Sequence, residues 1–172
     1  MTPSLFEPDV AAVIAAQRLC FAATVTPEGR PNLSPKGSIR VLDERHLFFL
    51  DLASPGTVRN LRANPWIELN IVDPISRRGY RFRGHASLHA GDAVYAEAIA
   101  SVAGETGVVY DAETVVVIEV LEIAPMWSPG YDRTPDERRM REIWTERRAE
   151  LDRAFEEHLA RHGAFVPPAA AD

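Results

Sequence analysis

Between Phe21 and Ala86 the chain is a succession of short β-rich runs divided by turn residues, and that rhythm restricts the fold more than any other feature. Residues 20–26 (CFAATVT) are short and mostly apolar. Pro27-Glu28-Gly29 supplies turn chemistry, and Arg30–Val41 forms the return strand. Asp43-Glu44-Arg45 marks the next turn, and His46–Asp51 (HLFFLD) reads as a core strand. Ser54-Pro55-Gly56-Thr57 opens a short helix, which Pro65 stops. Trp66–Val72 alternates, with Ile67, Leu69 and Ile71 on one face. Tyr80–His89 is a further strand, and Thr114–Ile123 (TVVVIEVLEI) is the most strongly β stretch of all. Six strands broken by only two short helices do not suit alternating parallel βα units. They predict a mainly β fold with flanking helices, a six-stranded antiparallel split β-barrel.

Helices flank this core. Asp9 is placed to cap a first helix carrying Val10, Val13, Ile14 and Gln17. Asp92–Val102 reads as another, closed near Gly104. Pro125–Asp132 reads as a loop bearing Trp127 and Tyr131. Thr134-Pro135-Asp136-Glu137 then forms a capping box, starting a long C-terminal helix that runs to about Arg161. Its apolar stripe is Met140, Ile143, Trp144, Leu151, Phe155 and Leu159. Such a stripe packs either on the barrel or on a second subunit. The expected division is a barrel domain over 1–130 and a helical extension over 131–172, with a disordered tail from Pro167.

The totals narrow the partners. At 172 residues and 46% hydrophobic, the chain suits one compact core. A net charge of −6 argues against a nucleic-acid partner. A single cysteine, Cys20, forbids an internal disulfide. No apolar run approaches the roughly 20 residues needed to span a bilayer, and the N-terminus lacks the basic start of a secretory signal. A soluble cytoplasmic protein is expected.

Candidate chemistry gathers in two places. In a regular strand Ser34, Lys36, Ser38 and Arg40 share one face, which makes either a cationic wall or a solvated surface; spacing alone favours the surface. Around Asp51–Thr57, the start of a helix offers free N–H groups, and Ser54 and Thr57 add hydroxyls. Plain N-capping by Ser54 explains the same residues. Arg81 and Arg83 alternate with Tyr80 and Phe82, so both point to one side. No catalytic triad is legible. The pairs His85/His89 and His158/His162 lack a third ligand, so no metal site is expected. Neither GxGxxG nor GxxxxGK occurs.

Three phrases in order, GRPNLSPKG, VRNLRANP and RFRGHA, resemble the pyridoxamine 5'-phosphate oxidase-like family of FMN-binding split barrels, over about residues 8–130. The resemblance implies a homodimer with FMN at the subunit interface, oxidising or reducing a small organic molecule, with neither nucleic acid nor membrane as partner. It implies that Ser34, Lys36, Gly37, Arg40, Asp51, Ser54 and Thr57 position the cofactor, that Arg81 lies near the flavin, and that Trp127 covers it across the interface. No side chain is required as catalytic acid or base, because the flavin carries the redox chemistry. The chain departs from oxidase-type relatives in one respect: Gly56 and Thr57 stand where those carry an Arg-Lys pair for the phosphate. That departure keeps other readings open: a flavin- or haem-binding module without turnover, or a reductase using the deazaflavin F420.

Overall fold

The computed structural model describes residues 4–166, so the predicted disorder from Pro167 lies outside the described residues. The chain divides into two units. The first comprises the residues up to Asp73 together with Arg78–Trp127. It holds seven strands: β1 (Cys20–Val25), β2 (Pro31–Lys36), β3 (Arg40–Val41), β4 (His46–Asp51), β5 (Trp66–Asp73), β6 (Arg78–His89) and β7 (Thr114–Trp127). Helices α1 (Pro8–Ala16), α2 (Pro55–Ala63) and α3 (Ala93–Thr106) belong to the same unit. The strands form one curled sheet in the order β2-β1-β5-β6-β7-β4-β3, antiparallel at every junction. This is the split-barrel fold that the strand pattern predicted.

The seventh strand comes from a break in the predicted run Arg30–Val41. The chain leaves the ladder at Gly37-Ser38-Ile39 and resumes as β3. Side chains compensate for the lost pairing. The Leu50 N–H donates to Ser38 Oγ at 2.9 Å, and Arg18 donates to the Ile39 carbonyl at 3.3 Å. Ile39 itself is fully buried. Both edges of the sheet, β2 and β3, are thus consecutive in the chain, and the barrel is closed by covalent continuity rather than by hydrogen bonds. Edge position also accommodates Pro31 and Pro35 within β2.

Burial explains the apolar runs. The interior cluster contains Ile14, Ile39, Leu47, Phe49, Leu69, Ile71, Phe82, Val116 and Ile118. Phe48, Leu50, Val115 and Val117 point to the opposite face and pack with Ala98 and Val102 of α3. β4 and the start of β7 are therefore covered on both sides, which is why HLFFLD and TVVVI do not alternate. At Arg83/Gly84 the β6–β7 register shifts by a bulge. A Cβ on Gly84 would lie 2.0 Å from the Glu119 carbonyl oxygen, so only glycine fits there.

Several boundaries differ from expectation. α1 starts at Pro8, and Asp9 does not cap it; its carboxylate accepts from Arg78 and from the Tyr80 hydroxyl. α3 passes Gly104 and ends at Gly107, in the left-handed conformation at φ +71°. β7 pairs as far as Trp127, opposite Arg78, so Trp127 ends a strand rather than sitting in a loop.

The second unit holds Pro74–Arg77 and the residues from Ser128 onward. A 3-10 turn at Pro129–Asp132 precedes α4 (Glu137–His162), 26 residues long. Asp136 is its cap, accepting from Arg138 N–H at 2.8 Å and Arg139 N–H at 3.2 Å. The Arg77 guanidinium sits 3.9 Å from the centre of the Trp144 ring. Met140 is buried, while Leu151 and Phe155 are 50% and 60% exposed.

Candidate cofactor-binding site

β2, β4 and α2 converge at one corner of the first unit. β2 ends at Lys36, β4 ends at Asp51, and α2 begins just after Ser54. A cavity of about 350 Å³ lies among Ser34, Pro35, Lys36, Gly37, Ser38, Leu50, Leu52, Ala53 and Ser54. Lys36 is 5% exposed, so neither a solvated face nor a simple core describes it. Its ammonium donates to Ser34 Oγ at 2.6 Å and to Ser54 Oγ at 2.7 Å. The Phe49 ring lies 5.5 Å from the same nitrogen. Ser54 in turn donates its hydroxyl and its N–H to the Asp51 carboxylate.

Ser54 holds the N-cap position of α2, but the alternative of plain side-chain capping is not what forms: its hydroxyl is committed to Asp51 and Lys36 and makes no capping bond. The result is a relay from ammonium to hydroxyl to carboxylate. Burial lowers the Lys36 pKa below the usual lysine value, and the nearby Asp51 carboxylate partly restores it. Lysine has three N–H donors. Two are taken by hydroxyls, and the third has no oxygen partner among the described residues. A buried cation with a donor to spare is the main electrostatic feature of this corner.

The sequence-predicted residues fall into two groups. Ser34, Lys36, Gly37, Asp51 and Ser54 come together here. The others lie elsewhere. Arg40 is 6% exposed and is held by Glu105 of α3 at 2.8 Å and by the Ser38 carbonyl at 2.9 Å. Thr57 is buried on α2, its hydroxyl without a partner among the described residues. Arg81 lies on the solvent side of β6, 3.3 Å from Glu68. Trp127 is 62% exposed at the end of β7.

Reading the sequence missed the apolar walls, Pro35, Leu50, Leu52 and Ala53, which single themselves out only once β4 and α2 are placed. It also missed a neighbouring cavity of about 370 Å³. That cavity shares Leu52, Ala53 and Ser54 and adds Arg62, Asp111, Glu113 and Thr114. The partnership of Arg40 with Glu105 spans 65 residues and leaves no local signal.

Fold and site together define a split-barrel protein with a cationic cleft at its strand ends. Comparison with known proteins makes the class specific. Residues 6–127 match the pyridoxamine 5'-phosphate oxidase family, and the chain belongs to that family. HupZ from Group A Streptococcus is 30% identical, with a TM-score of 0.65 over 72% of this chain and 96% of HupZ. Two more distant structures share the fold. An FMN-binding protein from Syntrophomonas wolfei subsp. wolfei is 13% identical (TM-score 0.60, 69% of this chain, 84% of that one). HutZ, the haem storage protein from Vibrio cholerae, is 19% identical (TM-score 0.58, 71% of this chain, 94% of HutZ). No curated protein matches the sequence.

Proposed function

We propose that this protein is an FMN-dependent oxidoreductase that acts on a small organic molecule as a cytoplasmic homodimer. The observation that carries the reading is Lys36: a buried ammonium at the wall of the cavity whose hydrogen-bond partners among the described residues are two hydroxyls, fewer than its three donors. An anionic or carbonyl oxygen of the cofactor satisfies the third donor. Pro35, Leu50, Leu52 and Ala53 offer the apolar wall that a flat ring needs. The space over Gly37 is open, since a Cβ there would meet nothing within 4 Å, so a ring can lie against the backbone. Ser34, Ser54 and Asp51 hold the ammonium in place. When bound, FMN supplies the hydride or electron transfer. The chain binds, orients and excludes water.

A cavity of about 350 Å³ encloses one end of such a ligand, and a second subunit is proposed to cover the rest. The outer face of β1, β2 and β5 supports that arrangement, with Phe21, Leu33 and Val72 at 45%, 66% and 42% exposure. Light scattering on a size-exclusion column should then report twice the 19.1 kDa chain mass; the monomer mass counts against the dimer.

Incubation with FMN, desalting and an absorbance spectrum test the cofactor. Retained flavin bands that NADH or NADPH bleach, and that an acceptor restores, support an oxidoreductase. Retained bands that no donor bleaches indicate a binding module. Loss of all flavin on desalting overturns the FMN reading, and haem and F420 titrations in the same assay identify the replacement.

A further inference from the structure

Away from the cofactor cleft, β6 and the start of α3 bring together Ser87, His89 and Asp92. The Ser87 Oγ lies 2.9 Å from His89 Nε2, and His89 Nδ1 lies 2.9 Å from Asp92 Oδ2. The other Asp92 oxygen accepts the Tyr95 N–H at 2.8 Å, because Asp92 is the N-cap of α3. That helix bond and the His89 contact hold the Asp92 carboxyl below its usual range, so it stays ionised. An ionised carboxylate can only accept, so the His89 proton resides on Nδ1. In the neutral ring Nε2 is then free to accept from the Ser87 hydroxyl. Ser87 and His89 are two apart on one strand and share a face. Ser87 is exposed and the His89 side chain is 21% exposed, so both are open to a small reactant.

We propose that Ser87, His89 and Asp92 form a hydrolytic centre for small activated carboxylic esters, independent of the cofactor site. Ser87 is the nucleophile, His89 the general base, and Asp92 the positioning residue that fixes the ring. The Ser87 oxygen bonds to the acyl carbon as its proton passes to His89 Nε2. The bond from the acyl carbon to the alcohol oxygen breaks, and the alcohol leaves with that proton. Water then adds to the acyl-serine and gives a proton to His89. As the bond from serine to the acyl group breaks, that proton returns to Ser87 and the acid departs. No oxidant or metal enters the balance.

Two probes test this on the full-length protein: p-nitrophenyl acetate as substrate, and a fluorophosphonate as a covalent label. The wild type should hydrolyse the ester and gain one phosphonyl adduct, mapped to Ser87 by peptide mass spectrometry. General acid–base assistance is usually worth about 10²–10⁴-fold, so Ser87→Ala and His89→Gln should each lower hydrolysis by at least about tenfold. Asp92→Asn can still cap α3, so its circular dichroism should match the wild type while the labelling rate falls. An unlabelled Ser87 overturns the proposal, as does a wild-type hydrolysis rate equal to that of Ser87→Ala.

Discussion

Lys36→Met tests the cofactor reading at its centre. Methionine approximates the length and bulk of the lysine side chain and removes the charge, while the walls formed by Pro35, Leu50 and Leu52 stay in place. A hydrogen bond from a charged donor contributes about 1.5–3 kcal/mol. At about 1.4 kcal/mol per factor of ten, loss of the one spare donor of Lys36 should weaken FMN binding by roughly 10–150-fold. Lys36→Arg keeps the charge, but a planar guanidinium does not fit between Ser34 and Ser54, which lie 2.6 and 2.7 Å from the ammonium. It should fall between the other two. Quenching of flavin fluorescence gives the dissociation constants. The pH dependence supplies a second check. Burial pushes Lys36 below the ordinary lysine value of 10.5. Its positive charge is complete below that lowered value and disappears as pH rises through it. Wild-type affinity should therefore start to decline at a pH below 10.5, and the difference from Lys36→Met should shrink across the same range. Lys36→Met protein that is folded yet binds FMN within twofold of the wild type refutes the reasoning.

Three further expectations concern the scaffold. Gly84→Ala drives a Cβ to 2.0 Å from the Glu119 carbonyl oxygen, so the β6–β7 bulge must rearrange; urea denaturation should show a loss of about 3 kcal/mol or more. Cys20 is fully buried and its thiol is pushed up to about 12, so a disulfide reagent at pH 7.5 should react only at the rate of unfolding, and rapid native-state reaction contradicts the burial. Asp136→Ala removes the cap over Arg138 and Arg139 and should cost about 1 kcal/mol, read as earlier loss of helical circular dichroism on heating.

The barrel was legible because its signals are local. Turn residues at 27–29 and 43–45, and alternation in Trp66–Val72, locate strands without knowledge of their neighbours. The break at Gly37–Ile39 was not legible, since it depends on partners at Arg18 and Leu50 far along the chain. Capping failed as a guide for a similar reason. Ser54 and Asp9 both have the right residue type beside a helix start. Each side chain meets a stronger partner, Lys36 and Asp51 for one, Arg78 and Tyr80 for the other. At Asp136 the carboxylate caps α4, and at Asp92 one carboxylate oxygen caps α3 while the other meets His89. Of the cavity lining, Ser34, Lys36 and Gly37 at the end of β2 and Ser54 before α2 were readable, whereas the Ser87–His89–Asp92 contact needed α3 placed against β6.

The two buried cations near the split of the barrel show why one of them suits an anion and the other does not. Arg40 and Lys36 are equally buried, at 6% and 5% exposure. The Arg40 guanidinium bonds directly to the Glu105 carboxylate, and Glu105 also holds Arg18. An incoming anion would have to displace a carboxylate there. Among the described residues Lys36 bonds no carboxylate directly; the Ser54 hydroxyl stands between it and Asp51. Hydroxyls are weaker partners for an ammonium than a carboxylate is, so the charge of Lys36 is solvated by the protein without being neutralised by contact. α2 opens on Gly56 and Thr57, and its cations come later: Arg59, whose guanidinium nitrogen would lie 4.0 Å from a Cβ on Gly56, and Arg62, which lines the neighbouring cavity. Within the cavity of about 350 Å³ the lining cation is Lys36, at the end of β2. Accordingly Arg40→Met should alter FMN affinity far less than Lys36→Met, and an equal loss in the two variants would place the anion at Arg40 instead.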